Sequence, residues 1–341
     1  MSKRIVLFNH KGGVSKTTTA YNLGWKLANN SRVLLVDGDP QCNLSSLILG
    51  DDFDSYYLNE QTRHQNLRDG VEVAFKGRPT PITAIDCFSP PRQPNLFLVP
   101  GHQNLSEFEG ALTFAQNANN AIATLENLPG AFSAFLNEVE NKYGIDYTII
   151  DLNPGLSAIN QNLLLSADYL IIPTNPDPFS LMALDTLRTI FPRWATWLRQ
   201  SGPLFADSSY PFGGNPPVLL GTIIQRFNVR KGKAALPYRD NIAEIKEKVV
   251  SELLPSLRQS GMSKTDEEYG QQLIQNGLCL AEISDFQGVL PKALNAGVPV
   301  YELTDVEIGE TGPVLLGMQQ SRTRFGQIFD QLASEVRRLT E

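Results

Sequence analysis

Cysteine and histidine are scarce and scattered. The three cysteines (Cys42, Cys87, Cys279) and three histidines (His10, His64, His102) show no CxxC or HExxH spacing. That pattern excludes a disulfide framework and argues against transition-metal chemistry on protein ligands, while isolated thiols fit a reducing compartment, so the cytoplasm is the expected location. Long apolar runs are missing too. No stretch reaches the roughly 18 residues needed to span a bilayer. The opening "MSKRIVLFN" passes from two basic residues straight into a strand-like run, without the apolar core and cleavage site of a secretory leader. A positive balance is also absent: the formal net charge is −7, which speaks against a uniformly basic nucleic-acid binder and leaves only regional contact with DNA.

What is present is an alternation. Short apolar runs rich in β-branched residues recur at "RIVLFN" (4–9), "RVLLVD" (32–37), "LFLVP" (96–100), "DYTIID" (146–151), "DYLIIP" (168–173), "PVLLGTII" (217–224) and "LCLAEI" (278–283). Helix-like stretches separate several of them, which predicts an α/β fold, a single doubly wound, mostly parallel sheet flanked by helices. With 341 residues one large domain or two smaller ones could form; the alternation favours one unit over 1–341. Polar, Gly and Pro clusters near 51–80, 200–216 and 259–270 are expected to be surface loops or insertions.

Residues 10–17, "HKGGVSKT", follow the first run and precede a helix-like stretch. The general phosphate-loop pattern would want glycine at positions 10 and 15, where this chain has His10 and Ser15. The context still suits phosphate, because backbone N–H groups at a strand-to-helix turn face an anion and the helix dipole favours it. In that reading Gly12 and Gly13 let the backbone approach the phosphates, Val14, Ser15 and Thr18 complete the loop, Lys16 neutralises the β/γ oxygens, and Thr17 ligates Mg²⁺. Ser15 is strained if the loop needs positive φ there.

"KGGVSKTT" resembles the deviant Walker A box of the ParA/MinD family of ATPases, whose pattern KGGxxK[ST] leaves position 15 free. Two further boxes, "VLLVDGDPQCNLS" (33–45) and "DYTIIDLNPGLSAIN" (146–160), are similar to the family's second motif and its Walker B segment. The resemblance implies a P-loop NTPase of SIMIBI type that uses ATP and Mg²⁺. It implies that Lys11 reaches across a homodimer to the partner's nucleotide, that Lys16 and Asp39 serve catalysis, Asp39 by orienting the attacking water, and that Asp37 and Asp151 join Thr17 around Mg²⁺. Asp37 and Asp39 lie two apart, so on an extended stretch they point the same way. Asn153 departs from the Pro, Ser or Thr usual there. Relatives hold adenine at the ends of the last two strands, which implicates Arg226 and Asn228, with Ile283 to Asp285 beside them.

Between Arg188 and Arg239 eight basic residues face one acidic, Asp207. A surface built from Arg188, Arg193, Arg199, Arg230, Lys231 and Lys233 would contact the phosphates of double-stranded DNA without reading bases; the alternative is solvated charge on unrelated loops. With the first strand at 4–9, no helix-turn-helix precedes it, and sequence-specific reading is not expected. The leading expectation is an ATP-dependent dimerising switch, cytoplasmic and nucleoid-associated. It would position a plasmid, chromosome region or other cargo, with hydrolysis stimulated by a ParB-like or adaptor partner. Two alternatives stay open. One is a MinD-like membrane-associated regulator using the amphipathic helix with Phe325, Ile328, Phe329, Leu332, Val336 and Leu339 on one face, although Asp330 and Glu335 favour packing of that helix on the domain. The other is a metabolic ATP-dependent ligase on the same fold.

Overall fold

A computed structural model describes residues 2–118, 125–230 and 233–341, with backbone alone at 230 and 233. All seven apolar runs are strands. They are β1 (Lys3–Leu7), β2 (Val33–Gly38), β3 (Leu96–Val99), β4 (Tyr147–Leu152), β5 (Tyr169–Thr174) and β6 (Val218–Phe227); then, after a ribbon of β7 (Val229–Arg230) and β8 (Lys233–Ala234), comes β9 (Cys279–Ser284). The main sheet has the order β3-β2-β4-β1-β5-β6-β9, and every pairing in it is parallel. Parallel neighbours need crossovers, and the crossover helices cover both faces, which is why these strands read as unbroken apolar runs. The carboxyl ends of the strands therefore share one edge, where ligands bind in open α/β sheets.

The segments expected as loops carry structure of their own. Within 51–80, Phe53–Leu58 and Leu67–Phe75 are helical; Leu67 and Val71 are buried, and Asn66 caps the second helix by accepting from the Asp69 amide at 3.0 Å. The 200–216 segment sinks Phe205 and Phe212 into the core, and the Tyr210 hydroxyl accepts from the Ile82 amide at 2.9 Å. Near 259–270, Met262 and Tyr269 are fully buried and Thr265 forms a capping box with Glu268. Each segment is polar because it buries only two or three large apolar side chains, too few to show as a periodic pattern.

The C-terminal helix, Gly312–Thr340, lies on the domain. Phe325, Phe329, Leu332, Val336 and Leu339 are buried, Ile328 packs against the core, and Lys26 pairs with Asp330 at 3.0 Å. The apolar face a membrane-surface helix would use is consumed by this packing. Among the described residues no helix is long and apolar enough to cross a membrane. Trp194 belongs to an aromatic cluster with Phe8 (5.8 Å) and Phe191 (6.2 Å), so it is a core residue.

Gly130 shows how tightly the 200–216 segment is seated, since a Cβ there would stand 1.8 Å from the Tyr210 carbonyl oxygen. Gly130→Ala is expected to destabilise the fold by about 1–3 kcal/mol, the usual cost of overpacking, read as a lower denaturation midpoint in urea.

Candidate nucleotide site

The turn after β1 and the first turn of the helix Lys16–Leu27 form the floor of a cleft of about 610 Å³, lined by Gly13 to Thr18, Asp39, Arg226 and Ile283 to Phe286 among others. Ser15 stands at φ 58°, ψ 33° and Gly13 at φ 72°. The loop thus does require left-handed backbone at position 15, and serine pays roughly 1 kcal/mol for it. No side chain caps that helix, so the first-turn N–H groups are left for an anion.

Three strand ends hold the loop in shape. The Asn9 side chain accepts from the Lys11 amide at 3.0 Å and donates to the Pro173 carbonyl at 2.9 Å. Asn175 and Arg226 both donate to the Gly13 carbonyl, each at 3.0 Å. Gln225 donates to the Thr19 hydroxyl at 2.7 Å. Arg226 has φ 61° at the irregularity where β6 loses register with β9, a bulge that turns its side chain back towards the loop. Asn228 is not brought to the cleft: it is exposed, and its carbonyl accepts from the Ala235 amide at the base of the β7–β8 ribbon. Asn175 and Gln225 were not legible as site residues, although both fall at the carboxyl ends of strands.

Asp37 and Asp151 lie level on β2 and β4, both fully buried. Burial, followed by mutual repulsion, pushes Asp151 well above the usual carboxylate range, against the pull of the Thr17 hydroxyl and the Lys16 ammonium. Neither Asp151 oxygen accepts a hydrogen bond of ordinary length. Burial likewise lifts Asp37 to about 6, but its oxygens are satisfied: one accepts from the Ser45 amide (2.8 Å) and hydroxyl (2.7 Å), the other from the Asp39 amide (3.1 Å). Asp37 and Asp39, expected to point the same way along an extended stretch, are thus engaged differently in this chain. Asp39 lines the cleft, whereas Asp37 turns to Ser45 because the helix Asn43–Leu49 folds back over it. Lys16, its own pKa lowered by burial and partly restored by Asp151 and Asp39, donates to the Asn9 and Lys11 carbonyls at 3.0 and 3.4 Å.

Lys11 is held inside its own chain. Its ammonium lies 2.6 and 2.5 Å from the two Asp177 oxygens and 3.0 Å from the Ser180 hydroxyl. Asp177 is the N-cap of the helix Pro178–Ser201; burial would raise its pKa, yet Lys11 and the Ser180 amide hold it below the usual range. Beside this pair Phe179 and Met182 are largely exposed, at 70% and 65%.

Among the described residues, part of the basic stretch is engaged within the chain. Arg188 pairs with Glu252 at 2.7 Å and lies 4.0 Å from Asp185, Arg199 donates to the Ser260 carbonyl at 2.9 Å, and Arg226 belongs to the cleft. Arg193 is exposed. Arg230 and Lys233 pair across the ribbon, and Lys231 lies outside the described residues.

A glycine-bearing strand-to-helix turn with its lysine and threonine, facing a strand-end aspartate on a parallel sheet, defines a P-loop nucleotide-binding domain. A family model described as AAA domain (AAA_31) matches residues 2–200, more than half of the chain, and the chain belongs to that family as a ParA-like P-loop ATPase. It is 31% identical over 189 residues to the virulence plasmid ParA family protein pGP5-D of Chlamydia psittaci, covering 54% of this chain and 62% of that one. To the sporulation initiation inhibitor protein Soj of Bacillus subtilis it is 33% identical over 188 residues, 55% and 64% of the two. The matches thus span less than two-thirds of these curated relatives. An ATP complex of a McdA variant from Cyanothece shares the fold, with a TM-score of 0.57 at 22% identity over 94% of this chain and 96% of that one.

Because Asp151 is buried with no hydrogen bond of ordinary length, its ionised form opposes folding of the nucleotide-free chain. A carboxyl whose folded pKa is raised favours the fold at low pH and loses that advantage as pH rises from about 4 through the raised value. Asp151→Asn is therefore expected to stabilise the nucleotide-free protein by about 1–3 kcal/mol near pH 8, to flatten the decline in melting temperature between pH 5 and pH 8 (about the window just named), and to weaken Mg²⁺-dependent nucleotide binding.

Proposed function

We propose that this chain, acting as one unit over residues 1–341, is an ATP-driven switch. It binds ATP with Mg²⁺ and pairs with a second copy. The dimer then holds duplex DNA without reading sequence until a ParB-like or adaptor protein speeds hydrolysis, and so it positions a plasmid, chromosome region or other cargo. The ParA and Soj relatives support the partition reading. The observation that carries the switch is Lys11, a cation at the mouth of the phosphate loop, pinned to Asp177 and flanked by exposed Phe179 and Met182. Pairing with ATP bound exchanges that intrachain contact for the partner's phosphates. A second cation there stabilises charge developing on the leaving group, as arginine fingers do.

The buried, unsatisfied oxygens of Asp151 beside the Thr17 hydroxyl fit a hard cation with oxygen ligands. Thr17 directly, and Asp151 through water, would hold Mg²⁺, which when bound neutralises the β- and γ-phosphate oxygens. Asp39 orients water at the γ-phosphate. The DNA-contacting part rests on the exposed Arg193 and on the basic residues Arg230, Lys231 and Lys233 of the sequence, since Arg188 and Arg199 are engaged within the chain.

Solution mass with ATP tests the switch. Lys16→Ala is expected to stay monomeric without nucleotide, Lys11→Ala to bind ATP without a productive dimer, and Asp39→Ala to accumulate as an ATP dimer; a trapped dimer of the Lys16 variant contradicts the assignment. Gel shifts on random duplex DNA test the second half. Retardation with ATP alone is expected, and equal or absent binding with ATP, ADP and no nucleotide overturns it.

A further inference from the structure

The loop that carries Asp39 is held from behind by a run of hydrogen bonds leading away from the nucleotide cleft. The Asp39 amide donates to one Asp37 oxygen at 3.1 Å. The other Asp37 oxygen accepts from the Ser45 hydroxyl at 2.7 Å, and that hydroxyl in turn accepts from the Gly101 amide at 2.9 Å. The Gly101 carbonyl accepts from the Tyr57 hydroxyl at 2.7 Å. Asp37 and Ser45 are fully buried, so the bonds among Asp39, Asp37, Ser45 and the Gly101 amide are made where water cannot replace them and where losing one leaves a buried group unpaired.

Gly101 is shaped to this contact. A Cβ on it would stand 3.1 Å from the Asp37 carboxyl carbon and 3.1 Å from the carbonyl oxygens of Asp37 and Asp39. The turn after β3 thus lies directly against the strand end that bears both aspartates, where a Cβ would crowd them and they would have to give by a few tenths of an ångström. At the outer end, Tyr57 lines a separate cleft of about 640 Å³ with Cys42, His64 and His102, on the far side of the Asp39–Cys42 loop from the nucleotide.

We propose that Ser45 and Gly101 are positioning residues for Asp39, acting through Asp37, with Tyr57 fixing the outer end of the same run. The two aspartates of the "DGD" segment then divide the work: Asp39 faces the reacting phosphate, and Asp37 is a structural acceptor that sets where Asp39 stands. This rests on the ATP-hydrolysis reading for its catalytic consequence, but the bracing itself is a property of the nucleotide-free chain.

The test pairs steady-state ATP turnover with amide hydrogen exchange on the nucleotide-free protein, comparing wild type, Ser45→Ala and Tyr57→Phe. Ser45→Ala is expected to lower kcat about 10- to 100-fold, the scale of a group displaced by an ångström. ATP affinity and the Mg²⁺ concentration for half-maximal rate should stay within about 3-fold, because binding groups are untouched. The amides of Gly101 and Asp39 are expected to exchange at least about 10-fold faster, as local protection is lost. Tyr57→Phe should shift kcat and the Gly101 amide in the same direction by a smaller factor, and it keeps the question answerable if Ser45→Ala folds poorly. A kcat within 2-fold of wild type in both variants overturns the proposal (about 0.4 kcal/mol), as does unchanged exchange at Gly101 and Asp39. A raised Mg²⁺ requirement at unchanged kcat overturns it in favour of Asp37 as a metal ligand. If wild type hydrolyses no ATP, the functional reading fails, while the exchange data still decide the brace.

Discussion

Two carboxylates set level on neighbouring strands are the constraint around which this molecule is arranged. Asp37 and Asp151 face one another across β2 and β4 in an environment without water, where like charges repel strongly and each costs heavily unless compensated. The chain answers the two differently. Asp37 receives three donors from Ser45 and the Asp39 amide, and so becomes part of the frame. Asp151 receives no hydrogen bond of ordinary length, with Lys16 and Thr17 nearby, and so remains a carboxyl group that a bound cation would complete. Burial of its ionised form costs stability at Asp151, as strongly perturbed groups at functional sites commonly do.

The same economy of parts recurs around Lys11. Asp177 caps the helix Pro178–Ser201 by accepting from the Ser180 amide at 2.8 Å, a contact worth about 1 kcal/mol in most helices, and the identical carboxylate anchors Lys11. The Gly13 carbonyl is likewise both a loop atom and the acceptor for Asn175 and Arg226. Strands β1, β5 and β6 are thereby tied at the point where phosphates would lie.

The strands were plain in the sequence because parallel strands are covered on both faces and need apolar side chains at nearly every position. "KGGVSKTT" was plain because its chemistry is local: a turn, twin glycines and a lysine within one helical turn. Asn175, Asp177 and Arg226 reach the loop from 162, 166 and 213 residues away, and no spacing rule connects them to it. The ion pairs of the basic stretch were hidden for the same reason. Asp185 and Glu252, which neutralise Arg188, lie outside the window in which the charges were counted and arrive only through the packing of neighbouring helices.

Left to itself, the order of residues determined the alternating architecture, the phosphate loop and the identity of the carboxylates near it. Those depend on neighbours along the chain, on burial averaged over a strand, or on a few consecutive backbone angles. Tertiary structure alone decided which aspartate is satisfied and which is left open, where Lys11 rests, and that the C-terminal helix spends its apolar face on the core. Each of these is settled by what a side chain meets across the sheet edge, and that is fixed by strand order and loop packing, which nearby sequence does not encode.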